Sequence, residues 1–132
     1  MMIMAMNTET EVNDNQDFDK HLVNEFVVRF ANTNGTGSAS ANNMFAKAIL
    51  RMGIPVSAKN IFPSNIQGMP TWYEVRISEK NYLGRRGGKS EMVVAMNAQS
   101  IDEDIESVKA GGYLLYDASR TLQEHQIRKD IN

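Results

Sequence analysis

Apolar residues along this chain come in short bursts with two different periods. Glu25-Phe26-Val27-Val28-Arg29-Phe30 is β-branched and aromatic and predicts a strand. The cluster Asn32 to Ser38, rich in Asn, Thr and Gly, punctuates it. From Ala39 to Met52 the spacing becomes helical, with Met44, Phe45, Ala48, Ile49 and Met52 on one face. Ser38 or Ser40 is expected to cap this helix; Gly53 suits its C-terminal end and Pro55 prevents continuation.

Val56 to Phe62 reads as a weakly patterned second strand, followed by the uncharged loop Pro63 to Pro70. Thr71 to Ile77 alternates clearly, Trp72, Glu74 and Arg76 against Tyr73, Val75 and Ile77. Lys80 to Ser90 is basic and glycine-rich, and Met92 to Met96 is a short continuous apolar strand of the kind buried on both faces. Asn97 is expected to cap a helix running to about Lys109, with Ile101, Ile105 and Val108 inward and Asp102, Glu103 and Asp104 solvated. Gly111-Gly112 then ends it before a strand at Tyr113 to Tyr116, with Asp117 at the carboxyl end.

Strands alternating with helices predict an α/β fold with a mainly parallel sheet. The short link between the second and third strands leaves room for an antiparallel member. The expected organisation is a mobile polar leader over 1–23, a folded domain over 24–120 and a charged tail over 121–132, frayed and helical at best.

Composition narrows the function classes. The length of 132 residues suits one domain, and a net charge of -2 argues against a general nucleic-acid binder. The chain has no cysteine, so it offers no disulfide, thiolate metal site or iron–sulfur ligand of its own. Its two histidines, His21 and His125, lie in polar surroundings, which removes a multi-histidine metal site and makes a Ser-His-Asp triad a poor fit. No apolar run is long enough to span a bilayer and Met1–Met6 lacks the basic flank of a secretory signal, so no membrane role and a cytoplasmic location are expected.

Three segments are candidates for chemistry. Gly35, Thr36, Gly37, Ser38, Ala39 and Ser40 sit between strand and helix, where backbone N–H groups and the helix dipole attract anions. Ser40 stands where a dinucleotide fingerprint has its third glycine, and no acidic residue follows about 20 positions on, so a generic anion contact and a plain tight turn both stay open. Gly84-Arg85-Arg86-Gly87-Gly88-Lys89-Ser90 imitates a P-loop but is one residue short and precedes a strand. Arg85 and Arg86 read either as a solvated basic loop or as a contact for an anionic group or acidic surface. The stiff, uncharged Phe62 to Trp72 loop offers Ser64, Asn65, Gln67 and Thr71 as recognition groups, or serves as a connector.

Taken together, Asn34 to Asn42, Phe62 to Tyr73 and Tyr82 to Gly88 resemble the opening domain of the alpha subunit in 2-oxoacid:acceptor oxidoreductases, the 2-oxoglutarate synthase branch of the pyruvate:ferredoxin oxidoreductase family. Met92 to Asn97 and Gly111 to Asp117 are similar too, and the likeness runs from about Asn24 to Arg120. It implies a three-layer Rossmann-like, gamma-type domain. It also implies an enzyme that converts a 2-oxoacid and coenzyme A to acyl-CoA and carbon dioxide, and passes two electrons to ferredoxin. Thiamine diphosphate and iron–sulfur clusters would sit in partner chains, a pyrimidine-type alpha region and a thiamine-binding beta subunit.

The same resemblance puts Gly35, Thr36, Gly37, Ser38 and Ser40 on the coenzyme A side of the site and Ser64, Asn65, Gln67 and Thr71 on the substrate channel. Arg85 and Arg86 would meet the coenzyme's phosphates or a neighbouring subunit. No catalytic or metal-ligating residue is expected in this chain, and it is not expected to work alone. Many relatives have Gly-x-Gly-Gly-Gln-Gly at the turn and Arg-Gly-Gly in the loop, where this chain has Gly35 to Ser40 and Gln67-Gly68-Met69. The chain stops at Asn132, before any pyrimidine-type domain, which suggests a fragment, a split subunit or a remnant. The competing reading is a stand-alone nucleotide- or coenzyme A-binding module.

Overall fold

A computed structural model of the chain describes residues 3–4, 22–63, 66–81, 84 and 86–132. The leader expected over 1–23 lies outside these, except for an antiparallel pair of β1 (Ile3–Met4) with β2 (Leu22–Val23). The body of the fold is one five-stranded sheet. Its strands are β3 (Glu25–Thr33), β4 (Val56–Ile61), β5 (Pro70–Ser78), β6 (Ser90–Ala95) and β7 (Val108–Tyr116), in the order β4-β5-β3-β6-β7.

β5 is antiparallel to both β3 and β4, whereas β3, β6 and β7 pair in parallel. Four strands therefore run one way and β5 alone runs back, so the sheet is mainly parallel with one reversed member. Helix α1 (Ser38–Arg51) carries the chain from β3 to β4, and α2 (Ile101–Glu106) carries it from β6 to β7.

Alternation along the strands decides which helix takes which face. Phe26, Val28, Tyr73, Val75 and Ile77 point to one side and form the main core with Ala46, Ile49 and Ile54. Phe30 and Phe45 meet edge to face at 5.4 Å in the same layer. Arg29 and Trp72 point to the other side, where they meet Glu103 and Asp104 of α2. The result is three layers, with one helix on each face.

Several sequence expectations change in detail. α1 buries Asn42, Ala46 and Ile49, while Met44 is 71% and Met52 52% exposed. Small Ala46 sets the face that lies on the sheet, so the predicted stripe is rotated toward solvent. α1 also starts from Gly37, in the left-handed conformation, with no side-chain cap from Ser38 or Ser40. The second helix is shorter than expected, since Ser100 and not Asn97 occupies its N-cap and it ends at Glu106. Val108, wholly buried, belongs to β7 and pairs with Ser90.

Gly111-Gly112 is accordingly no helix stop. The two glycines lie inside β7, at an irregularity where the ladder passes from Ser90↔Val108 to Met92↔Tyr113. A Cβ on Gly112 would lie 2.7 Å from the Glu91 carbonyl oxygen and 2.8 Å from that of Lys109, so the backbones approach too closely for any side chain. The tail is not a frayed helix either: it is irregular, with turns near Ser119 and Asp130 and a single 3₁₀ turn at Glu124–Gln126. Its end returns to β7, with Gly111 N–H donating to Asp130 O at 2.6 Å and Leu114 N–H to Asn132 O at 2.9 Å. Arg128 anchors it by donating to the carbonyls of Ile105 and Val108 at 2.7 and 2.9 Å.

Candidate functional site

The strand directions gather the connections at two opposite edges. β3, β4, β6 and β7 end at the same edge, and β5 begins there. The turn Asn34–Gly37, the loop residues Ile66–Met69 and the turn Met96–Ser100 therefore lie at this one edge. β3 leads through α1 toward one side of the sheet and β6 leads through α2 toward the other. The crevice beyond the carboxyl ends of β3 and β6 is thus a topological switch point, where open α/β sheets bind ligands.

Two of the predicted motifs meet at this edge. Asn34 ties them together: its N–H donates to Met69 O at 2.9 Å, its carbonyl accepts from Gly68 N–H at 3.0 Å, and its side-chain amide donates to Ile66 O at 3.2 Å. Gly35 then lies against Gln67 so closely that a Cβ would fall 2.8 Å from Gln67 Cγ. Both Gly35 and Gly37 have positive φ, 85° and 76°, which glycine adopts without the steric cost of a side chain. Thr36 closes the turn by donating its hydroxyl to Thr33 O at 2.7 Å.

At α1 itself Ser38 is half-buried and Ser40 exposed, and neither occupies the helix N-cap. The first N–H groups of a helix lack the usual partner four residues back, and here no side chain caps them, although the Ser40 N–H turns back to the Gly37 carbonyl at 3.2 Å. A Cβ on Gly37 would meet nothing within 4 Å, so the turn is open to solvent on that side. Backbone donors of the kind that bind anions therefore border open space. Just beyond β6, Asn97 donates to Asn32 O at 3.0 Å and accepts from Gln99 N–H at 2.9 Å, a role its sequence position did not signal. It stitches the ends of β3 and β6 across the switch point.

Other predicted residues lie elsewhere. Ser64, Asn65 and Arg85 fall outside the described residues. Thr71 is buried on β5 and its hydroxyl donates to Ile61 O at 3.1 Å, so it braces β4 against β5. Arg86 follows β5 and precedes β6, which places it at the amino edge of the parallel strands. That is roughly 25–30 Å from the glycine turn, since β3 has nine residues at about 3.3 Å each. Its guanidinium grips Glu91 through two bonds, at 2.6 and 2.9 Å, and also donates to Lys89 O at 2.7 Å.

Glu91 is 1% exposed, and it also accepts from the backbone N–H of Val27 at 2.7 Å and lies 3.6 Å from Lys109. A carboxylate with two cations and a backbone donor is satisfied despite its burial. Its position, on the same strand face as Val93 and Ala95, was the available signal. Asp104 gives a second correction: the sequence put it among solvated carboxylates, yet it is wholly buried. It stands at helical spacing from Ile101, Ile105 and Val108, which was the mark of an inward position.

The sequence pattern of the family described as "Pyruvate ferredoxin/flavodoxin oxidoreductase" matches residues 27–131. The chain belongs to that family. The match takes in the whole sheet from Val27 of β3 onward, both helices and most of the tail.

No curated protein matches the chain by sequence. Solved structures do. The 2-oxoglutarate:ferredoxin oxidoreductase of Magnetococcus marinus, solved with 2-oxoglutarate, coenzyme A and succinyl-CoA bound, superposes with a TM-score of 0.70 at 25% identity, over 83% of this chain. A pyruvate oxidoreductase subunit of Thermotoga maritima gives 0.60 at 22% identity over 81%. The gamma subunit of a keto/oxoacid ferredoxin oxidoreductase from Geobacter sulfurreducens gives 0.57 at 22% over 71%. This family member spans 19%, 57% and 52% of those chains respectively.

Proposed function

We propose that this chain serves as the gamma-type domain of a 2-oxoacid:ferredoxin oxidoreductase, with 2-oxoglutarate as the favoured substrate. The contact of Gly35 with Gln67 carries the reading, because it joins the two long family-like motifs into one surface at the switch point. On that surface the open turn Gly35–Ser40 receives the phosphates of coenzyme A, and Gln67 borders the substrate side. Coenzyme A supplies the thiol that accepts the acyl group; the turn's part is to bind and orient it. The likeness to an enzyme solved with 2-oxoglutarate and coenzyme A supports this assignment.

Thiamine diphosphate and iron–sulfur clusters belong to the partner chains in this proposal, and ferredoxin takes the electrons. The carboxyl edge suits a partner. Phe62, Ile66, Met69 and Met96 are 50%, 67%, 41% and 55% exposed there, an apolar set that a pyrimidine-type alpha region and a thiamine-binding beta subunit would cover. Arg86 takes no part in coenzyme binding here, since Glu91 holds it at the other edge. The working location is the cytoplasm.

The test is recovery of the chain from its native cells under gentle conditions, followed by assay of the complex with 2-oxoglutarate, coenzyme A and ferredoxin. Thiamine-binding and iron–sulfur subunits should accompany it. In the reconstituted complex Gln67→Ala should raise the KM for coenzyme A or 2-oxoglutarate. A chain that purifies alone, or a complex indifferent to its removal, would overturn the proposal.

A further inference from the structure

The carboxyl edge holds a second concavity, on the α2 side and apart from the glycine turn. It is a cavity of about 180 Å³ between the end of β6, the start of α2 and the returning tail. Ala95, Ala98, Ile101 and Leu122 make its apolar lining. Asp117 and Arg120 supply its charges, and Gln123 also lines it.

Three features define what it would take. The cavity lies outside the carboxyl ends of β6 and β7, beside the switch point between β3 and β6, on a strand-helix-strand unit of the kind that carries the ribose in dinucleotide folds. Asp117 directly follows β7 and comes about 20 positions after Asn97, which opens the turn beyond β6. An acidic residue at about that offset holds the ribose hydroxyls in dinucleotide folds. The β6–α2 turn has no glycine to admit a pyrophosphate, so one nucleotide fits the chemistry better than two.

The charges agree. The Ser119 backbone N–H donates to the Asp117 carboxylate at 2.9 Å, and this bond, helped by the Ser119 side chain, keeps its pKa below the usual carboxylate value. It stays an ionised acceptor with lone pairs to spare. The Arg120 charge also lowers the Asp117 pKa, so the two lie in each other's field, and among the described residues no hydrogen bond or salt bridge within 4 Å holds the guanidinium. The cavity, about 180 Å³, is open to solvent on one side, so a ligand can seat part of itself there and leave the rest outside.

We propose that this cavity binds a ribonucleoside 5′-monophosphate, with the ribose cis-diol on the Asp117 carboxylate, the base edge against Ile101 and Leu122, and the phosphate drawn to Arg120. The site stands on the fold alone and does not depend on the role proposed for the glycine turn. Coenzyme A carries a phosphate on its ribose 3′-oxygen and so lacks the free diol.

Calorimetric titration of the purified full chain with adenosine 5′-monophosphate tests this. Saturable binding is expected, weakened at least tenfold by Asp117→Asn, a loss of a charged hydrogen-bond acceptor. Arg120→Ala should weaken the monophosphate and leave adenosine unchanged. The 2′-deoxy monophosphate should bind the unaltered chain at least about fivefold more weakly, a comparison that needs no variant to fold. Absence of binding at millimolar ligand, equal binding of the deoxy form, or competition by coenzyme A would each overturn the proposal. A chain that binds the monophosphate but never assembles with thiamine enzymes would leave this site standing and remove the oxidoreductase role.

Discussion

The indole N–H of Trp72 donates to the carboxylate of Asp104 at 2.7 Å, and this buried bond ties the reversed strand β5 to helix α2 across the face of the sheet. Ser100 donates to the other oxygen at 2.7 Å, and Arg29 lies 4.9 Å over the indole ring. A six-residue helix has little stability of its own, so α2 depends on such anchors and on its buried Ile105.

Asp104→Ala should therefore destabilise the fold by about 2–3 kcal/mol, because it leaves the indole N–H and the Ser100 hydroxyl buried without their acceptor. Trp72 is the single tryptophan, so its fluorescence reports both the local change and global unfolding in urea. An unchanged urea midpoint would count against the anchor.

The same carboxyl makes stability depend on pH. Burial pushes the Asp104 pKa up, opposed by the bonds from Trp72 and Ser100 and by the charge of Arg29. A carboxyl with a raised folded pKa binds its proton more tightly in the folded state. Its contribution is full below the unfolded value of 3.8 and is lost as pH rises through the folded pKa. Asp104→Asn keeps an acceptor for the indole and has no such loss. Its stability relative to the unaltered protein should improve as pH rises from 4 toward 7, measured by urea midpoints at each pH.

Arg86→Ala should cost about 2–4 kcal/mol, since it strips a bidentate partner from a buried Glu91. The half-open position of Arg86 and the presence of Lys109 place the value below that of a fully enclosed pair. Arg86→Lys should cost less, as one of the two bonds survives. Equal losses for both variants would show that the fork geometry is irrelevant.

Gly112→Ala should destabilise by about 2–3 kcal/mol, because its methyl meets two backbone oxygens that cannot swing aside. Gly53→Ala is the comparison: φ is 81° but nothing lies within 4 Å, so only the left-handed strain of about 1–2 kcal/mol applies. Thermal denaturation of the two variants separates the effects.

Arg128→Ala should release the tail from the carbonyls of Ile105 and Val108 at a cost of about 1–2 kcal/mol. The β7 edge would then open. Amide exchange at Leu114, whose N–H donates to Asn132 O, should accelerate far more than exchange at Val75 in the sheet centre.

Local patterning determined the order of the main elements, because β3, α1, β5 and β6 bury enough of an apolar face to show their period, whereas β4, with no buried residue, shows it only weakly. Phe26 and Val28, or Val93 beside Ala95, would read as strand in any setting. The glycine turn was equally plain, since Gly35 and Gly37 take up a conformation that side chains resist. The family-like motifs pointed to the same fold and function class.

Only the tertiary structure decided what meets what. The reversal of β5 sends Gln67 to Gly35 and the Arg86 loop to the far edge, and nothing within either segment encodes that choice. Partners from remote elements also set the fate of the charges. Asp104 is buried because Trp72 and Ser100 receive it, and Glu91 because Arg86, Lys109 and the Val27 N–H surround it. A carboxylate's desolvation cost is local, but the bonds that offset it come from residues up to 64 positions away.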